Sequence, residues 1–382
     1  MRLITEDNVA LLDDLLNRVS IELEITKSQR QSAESSYNSV GKWLAGEDSP
    51  LTKLNPTIYA QGSLRLDTTV KPKGQNEFDL DLVCEFCGNP LKLNPISTLK
   101  IIENRLKEHG TYASMVEAKN RCIRLNYAGQ YHMDILPAYP DPSLNQGCLL
   151  VPDREVKDWK ESAPKNYAEW FEGRCMYKLL LEKTAKIEPF PDYDLTEDKA
   201  PLKRIVQLMK RYRDIKYSEC KDKAPISIII TTLAGHFYNG EYSVSEGASN
   251  ILNAIKFAIP ATGRLRVLNP ANSAEDFSEK WDKNPERYSE FVDWINVFIK
   301  EWRDLRGLQN NIQLADKIKK MFGEEIAVLA LEKQAAYIEH LREAGFLKID
   351  NHLGMLTGVE TAATANKVTA GVIIPKNTFY GK

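Results

Sequence analysis

The chain has 382 residues, with 51 Lys and Arg against 53 Asp and Glu and a net charge of −2. That length supports one large or two moderate domains with substantial cores, and the balanced charge lacks the basic excess of a dedicated duplex-DNA binder. No apolar run approaches the ~20 residues a membrane span needs, and the N-terminus lacks the apolar core of a signal peptide, so the sequence reads as cytoplasmic. The six cysteines (84, 87, 122, 148, 175 and 220) are scattered. Cys84-Glu85-Phe86-Cys87 has metal-ligand spacing, but no second pair follows and free thiols are expected.

In chain order, residues 6–30 read as helix, because Val9, Leu12, Leu16, Val19 and Leu23 recur near helical spacing. A serine-rich stretch, 32–39, continues or kinks that helix until just before Gly46. Residues 57–150 are β-rich, with a helix at about 97–109 that Gly110 stops. Residues 151–199 form a Pro-, Asp- and Glu-rich connector with an embedded helix, about 166–186. From Pro201 the pattern is helical: 201–217, 225–238, 246–259, 274–281, 284–304, 311–320 and Glu324–Ala344. The tail, 359–382, is poorly patterned and reads as flexible or loosely docked. The expected fold class is α+β, divided into 1–199, a helical lobe 200–358 and the tail 359–382.

Within the β-rich part, Gln61-Gly62-Ser63 precedes a Lys/Gly/Asn connector and then Glu77-Phe78-Asp79-Leu80-Asp81-Leu82-Val83. Residues i and i+2 of a strand point to one face, so Asp79 and Asp81 project together while Phe78, Leu80 and Leu82 face away. Two such close carboxylates are costly unless a cation lies between them, and Mg²⁺ prefers oxygen ligands while leaving positions for phosphates. Gly62 permits close backbone approach, and Ser63 offers a hydroxyl and amides to a phosphate. Residues 122–127 and 131–137 form a second signal, a hairpin turning at Ala128-Gly129-Gln130. Asp134 lies there among Met133, Ile135 and Leu136, where an unpaired charge would be expensive. If the hairpin lies beside the Asp79/Asp81 strand, three carboxylates converge as two-metal phosphoryl transfer requires.

With these residues the chain resembles the polymerase-β-like nucleotidyltransferase superfamily, and more closely the bacterial cGAS/DncV-like nucleotidyltransferases (CD-NTases). Ser162-Ala163-Pro164-Lys165-Asn166-Tyr167-Ala168-Glu169-Trp170-Phe171, the helix 202–210, and Leu268-Asn269-Pro270-Ala271-Asn272 followed by Asp276-Phe277 are similar to family segments. The resemblance implies a two-lobed enzyme with a mixed-sheet catalytic core, a helical lobe, and a long N-terminal spine helix bridging them. It implies synthesis of a cyclic di- or trinucleotide second messenger from nucleoside triphosphates, with release of pyrophosphate, in bacterial anti-phage defence. Asp79, Asp81 and Asp134 would be both catalytic residues and ligands of two Mg²⁺ ions, with Mn²⁺ as a substitute. Gln61, Gly62, Ser63, Arg65, Lys203 and Ser227 would bind nucleotide. For Arg65 a surface salt bridge, for Lys203 a solvated helix position and for Ser227 a helix start remain alternatives. The partners implied are nucleoside triphosphates and an operon-encoded regulatory or conjugating protein acting at the C-terminal tail; neither membrane nor duplex-DNA activation is expected. Two other readings stay open: a transferase adding nucleotides to RNA or protein, and an inactive nucleotide-binding sensor.

Overall fold

The computed structural model describes residues 6–74, 77–90, 93–141, 143, 147–182, 199–343, 347–350, 356–358 and 371–373. At the N-terminus, α1 (Glu6–Glu22) and α2 (Lys27–Ala45) are separate helices. Thr26 caps α2: its side chain accepts from Gln29 N, and Gln29 accepts from Thr26 N. This reciprocal box satisfies helix-end donors and contributes about 1 kcal/mol. The break divides two cores. Leu12, Leu15, Leu16 and Val19 of α1 are buried among the C-terminal helices, whereas Ala33, Val40 and Leu44 of α2 pack on the sheet. The bridge expected from one long spine helix is therefore made by two.

The sheet holds β1 (Thr57–Gln61), β2 (Phe78–Glu85), β3 (Val116–Ala118), β4 (Ile123–Tyr127), β5 (Tyr131–Pro140), β6 (Leu149–Asp153) and β7 (Asp158–Ser162). Its order is β1-β2-β5-β4-β3, and the far end of β5 also pairs with β6, which pairs with β7. β2 and β5 run parallel while the other pairs are antiparallel. Along β2 the burial alternates as two-residue periodicity demands: Phe78, Leu80 and Leu82 are buried, with Asp79 exposed and Asp81 half-buried. The short turn α3 (Gly62–Arg65) follows β1, and α4 (Pro95–Lys107) covers the apolar face with Leu99, Ile102 and Leu106.

The second core gathers α5 (Pro164–Glu182), α6 (Pro201–Lys216), α7 (Ser227–Phe237), α8 (Val244–Ala258), α10 (Pro285–Gly307), α11 (Asn311–Phe322) and α12 (Glu324–Glu343) around Trp294, Phe298 and Trp302. The helix expected at 274–281 is instead the hairpin β8 (Leu268–Asn269) and β9 (Asn272–Asp276), followed by the single turn α9 (Lys280–Lys283). Local side-chain bonds decide this. Asn269 and Asn272 accept from the amides of Ala271 and Ala274, and Asp276 accepts from Ser278 N, all of which compete with a helical ladder. In the tail region, β12 (Gly371–Ile373) pairs with β10 (Leu347–Asp350), which also pairs with β11 (Leu356–Gly358). The other tail residues, for which flexibility was expected, lie outside the described residues. Among the described residues no helix is long and apolar enough to cross a membrane. All six cysteines are free thiols.

Candidate active site

β1 brings Gln61 opposite Asp81, and the chain then turns into α3 through Gly62 at φ +63°. A Cβ on Gly62 would lie 2.1 Å from Asp81 Oδ2, so only glycine lets the turn and the carboxylate stand this close. Ser63 follows, its carbonyl accepting from Thr68 N at 2.9 Å and its hydroxyl from Thr69 Oγ1 at 3.2 Å.

Register does the rest. Asp81 pairs with Asp134 across the parallel β2/β5 ladder, and Asp134 pairs with Arg124 across β4/β5. Gln61, Asp81, Asp134 and Arg124 therefore form one row across four strands. Arg124 donates to both oxygens of Asp134 (2.7 and 2.8 Å) and to Asp79 Oδ1 at 3.2 Å. Its guanidinium stands where the charges of the carboxylates most need compensation. Among the described residues no three acidic or metal-binding side chains are gathered tightly enough to cage an ion, and Arg124 stands between Asp134 and Asp79 with bonds to both. In chemistry the donor set would suit a hard divalent cation nonetheless: the three side chains offer carboxylate oxygens only, and a positive group already bridges two of them.

The opposite wall comes from the helical lobe. α6 is buried along most of its length despite its basic residues, which is tolerable because its polar groups serve the loop after Ser63. Lys210 Nζ donates to Thr68 O (3.1 Å) and Thr68 Oγ1 (3.0 Å), Gln207 to Thr69 O (2.8 Å), and Arg211 to Lys71 O (2.6 Å). Arg213 donates to Ser227 Oγ at 2.8 Å, at the start of α7, and to Asp214. Between the walls lies a cleft of about 630 Å³ lined by Gly62, Ser63, Asp79, Asp81, Lys210, Arg213, Lys221 and Ser227. A smaller cavity of about 280 Å³ adjoins it, sharing Gly62, Leu66, Asp81 and Ile228 and adding Gln61, Arg65, Tyr167, Glu275 and Phe277.

Seven of the residues singled out from sequence thus face these two spaces or lie at their edge: Gln61, Gly62, Ser63, Arg65, Asp79, Asp81 and Ser227. Asp134 stands beside Asp81 in the row. Ser227 is both helix start and cleft wall, and Arg65 is exposed. Lys203 is placed elsewhere: its Nζ lies 3.0 Å from Glu172 Oε1 on α5, and it lines neither space. Lys210 takes the cleft position instead. The two lysines are seven residues apart, hence on one helical face two turns distant, and only the lobe packing separates them. Arg124, Lys210 and Arg213 escaped the sequence reading. For Arg124 a signal existed, since the hairpin centred on Gly129 places it opposite Asp134.

Burial, followed by the charges of Asp79 and Asp134, pushes the Asp81 carboxyl up to about 7. An unfolded Asp titrates near 3.9, so between about pH 4 and 7 the folded, metal-free protein holds a proton that the unfolded chain has released. Stability is then fully present below that window and falls as pH rises through it. Lys210 is pulled down to about 7, mainly by burial and then by Arg213; below about pH 6 it is protonated in both states and leaves the slope unchanged, and nearer pH 7 its loss of a proton opposes the Asp81 slope. A divalent cation held by Asp81 would stabilise the ionised form, so the rise in Tm expected on adding Mg²⁺ should grow from pH 5 to pH 7. Melting curves with Mg²⁺ or EDTA across that range check this, and a flat or shrinking increment would contradict it.

Residues 11–174 match the Second Messenger Oligonucleotide or Dinucleotide Synthetase domain. A c-di-GMP synthase of Roseivirga ehrenbergii is 32% identical over 385 residues, covering 99% of this chain and all of that protein. This chain is a CD-NTase. The cyclic dinucleotide synthase CdnG of Bradyrhizobium diazoefficiens is 24% identical, covering 84% of this CD-NTase and 82% of that protein. The structure of that CdnG in complex with GTP superposes with a TM-score of 0.69 at 21% identity, over 85% of this CD-NTase and 98% of that chain. The shared fold is an α+β nucleotidyltransferase core with a helical C-terminal lobe.

Proposed function

We propose that this CD-NTase is a Mg²⁺-dependent synthase that joins two molecules of GTP into a cyclic dinucleotide. The observation that carries the reading is that Asp81 and Gly62 form a wall common to two adjoining spaces. A synthase must hold a donor and an acceptor nucleotide on either side of one reacting phosphorus, and that wall is where the two would meet. In the larger cleft, Ser63, Lys210, Arg213 and Lys221 surround the space with hydroxyl and cationic groups suited to a triphosphate. Asp79, Asp81 and Asp134 would hold two Mg²⁺ ions, which when bound supply Lewis-acid activation of the acceptor hydroxyl and stabilise the departing pyrophosphate. Each coupling forms one bond from a ribose oxygen to an α-phosphorus and breaks the α–β anhydride; two couplings close the ring and release two pyrophosphates. Gly62 keeps the backbone against Asp81, while the loop tied down by Gln207, Lys210 and Arg211 fixes Ser63. All three carboxylates are present, Asp79 and Asp81 on one strand and Asp134 opposite Asp81 on the next, which supports turnover over nucleotide sensing alone. GTP is favoured because the Roseivirga relative is a c-di-GMP synthase and the Bradyrhizobium structure contains GTP. In the anti-phage role that the family likeness implies, the product would activate an effector.

The test is incubation with the four NTPs and Mg²⁺, then phosphatase digestion and mass spectrometry. The expected result is a phosphatase-resistant dinucleotide containing only guanine. Nucleotide transfer seen only on added RNA or protein would overturn the reading.

A further inference from the structure

We propose that Glu275 reads guanine in the smaller cavity and so selects GTP as the acceptor nucleotide; the inference rests on the two-nucleotide reading above and adds its base specificity. Three observations carry it. The first is place. Glu275 sits on β9, which packs against β7, and it lines the same cavity as Gly62 and Asp81. A nucleotide whose ribose meets Asp81 in this cavity would have Glu275 within the same lining to meet its base. The second is shape. Tyr167 and Phe277 meet edge to face with centroids 5.8 Å apart, and Leu136 and Val151 complete an apolar lining suited to the faces of a purine ring.

The third is hydrogen-bonding capacity. Asn269 donates to Glu275 Oε2 at 2.7 Å and Ser162 to Oε1 at 3.3 Å, and the Ala163 amide also bonds the carboxylate; these donors orient it and leave a lone pair open to a base. An ionised carboxylate accepts and cannot donate. The Watson–Crick edge of guanine presents N1–H and the N2 amino group, two adjacent donors. Adenine presents an acceptor at N1 beside its N6 amino group, and cytosine an acceptor at N3. Uracil has a single donor between two carbonyls. Only guanine matches. Burial raises the pKa of Glu275 despite its existing donors, so additional donors would stabilise its charge. Of the other charged groups on the cavity wall, Asp81 lies beside Gly62 at the shared wall, Arg65 is exposed, and Arg121 does not take this role. Its guanidinium is committed to Asp153 at 2.7 Å and Glu279 at 3.1 Å.

Glu275 also ties the two lobes together through Ser162, so the test must separate reading from tying. Glu275→Gln keeps the size and one acceptor but turns the other into an amide donor, which complements adenine. In the linear intermediate the acceptor is the nucleotide that retains its 5′-triphosphate, so mass spectrometry of the intermediate from an equimolar GTP and ATP mixture assigns the base in this pocket. We expect guanine preference at that position to fall about 100-fold in Glu275→Gln, with adenine entering it, and to persist in Glu275→Asp. An equal loss for both bases, or an unchanged preference, would reduce Glu275 to a lobe tie and overturn the inference. Calorimetry on the wild-type chain needs neither turnover nor a substitution: N1-methylguanosine 5′-triphosphate should lose at least one binding event that GTP makes. Equal binding of the two overturns the Glu275 assignment. Discrimination without any cyclic product would sink the synthase reading and leave the guanine reader standing.

Discussion

Combined Asp79→Asn and Asp81→Asn substitution should abolish cyclic product, by roughly a thousandfold or more, while leaving the protein folded. The reason for the first half is that both residues supply the anionic oxygens that would hold the divalent ions, and an amide oxygen is a far weaker ligand for a hard cation. The reason for the second is that these carboxylates weaken the fold in the absence of a cation. Asp81 is half-buried beside Asp79 and Asp134, and its carboxyl is pushed up to about 7, so at pH 8 its ionised form is held at a cost. Asparagine removes that cost and keeps the shape. Arg124 loses its charged contact with Asp79 but keeps both bonds to Asp134. In EDTA at pH 8 the double variant should therefore melt at or above the wild-type temperature, and its Mg²⁺-dependent increment should vanish. Turnover retained in a folded double variant would refute the site.

Gly62→Ala should be nearly as damaging by a different route. A non-glycine residue at φ +63° costs about 1–2 kcal/mol. The added methyl would lie 2.1 Å from Asp81 Oδ2, so Asp81 must move. Because catalysis depends on positions held to within an ångström, a displaced Asp81 should lower turnover about 100-fold or more. Gly129→Ala is the matched control. It has φ +74° and nothing within 4 Å of an added Cβ, so it carries similar backbone strain without a clash. Equal melting temperatures with unequal rates would place the Gly62 effect in the geometry of Asp81. If both variants lost activity alike, backbone strain would be the whole explanation and the close approach would be irrelevant to function.

The sequence by itself determined the parts of this site that depend on one local period. Asp79 and Asp81 share a face because a strand alternates, and the hairpin around Gly129 sets Asp134 against Arg124 because antiparallel register counts outward from its turn. Gly62 was legible for the same reason, as a residue type whose use lies in close backbone approach. The helices with strong periodicity, such as α6, α10 and α12, were equally plain. The hairpin β8/β9 was not, because side-chain bonds from Asn269, Asn272 and Asp276 override the helical pattern over a few residues. The long N-terminal helix was misjudged in one respect: its break at Thr26 depends on two cores pulling α1 and α2 apart. What only the tertiary structure decided is how the lobes meet. Whether Lys203 or Lys210 faces the cleft, which loop α6 clamps, and where Glu275 stands all depend on contacts between residues more than a hundred positions apart, such as Lys210 with Thr68 and Glu275 with Ser162. Local propensity holds no information about such pairs. They are set by which apolar faces the two lobes bury against each other, and the polar residues of the site take their positions from that packing.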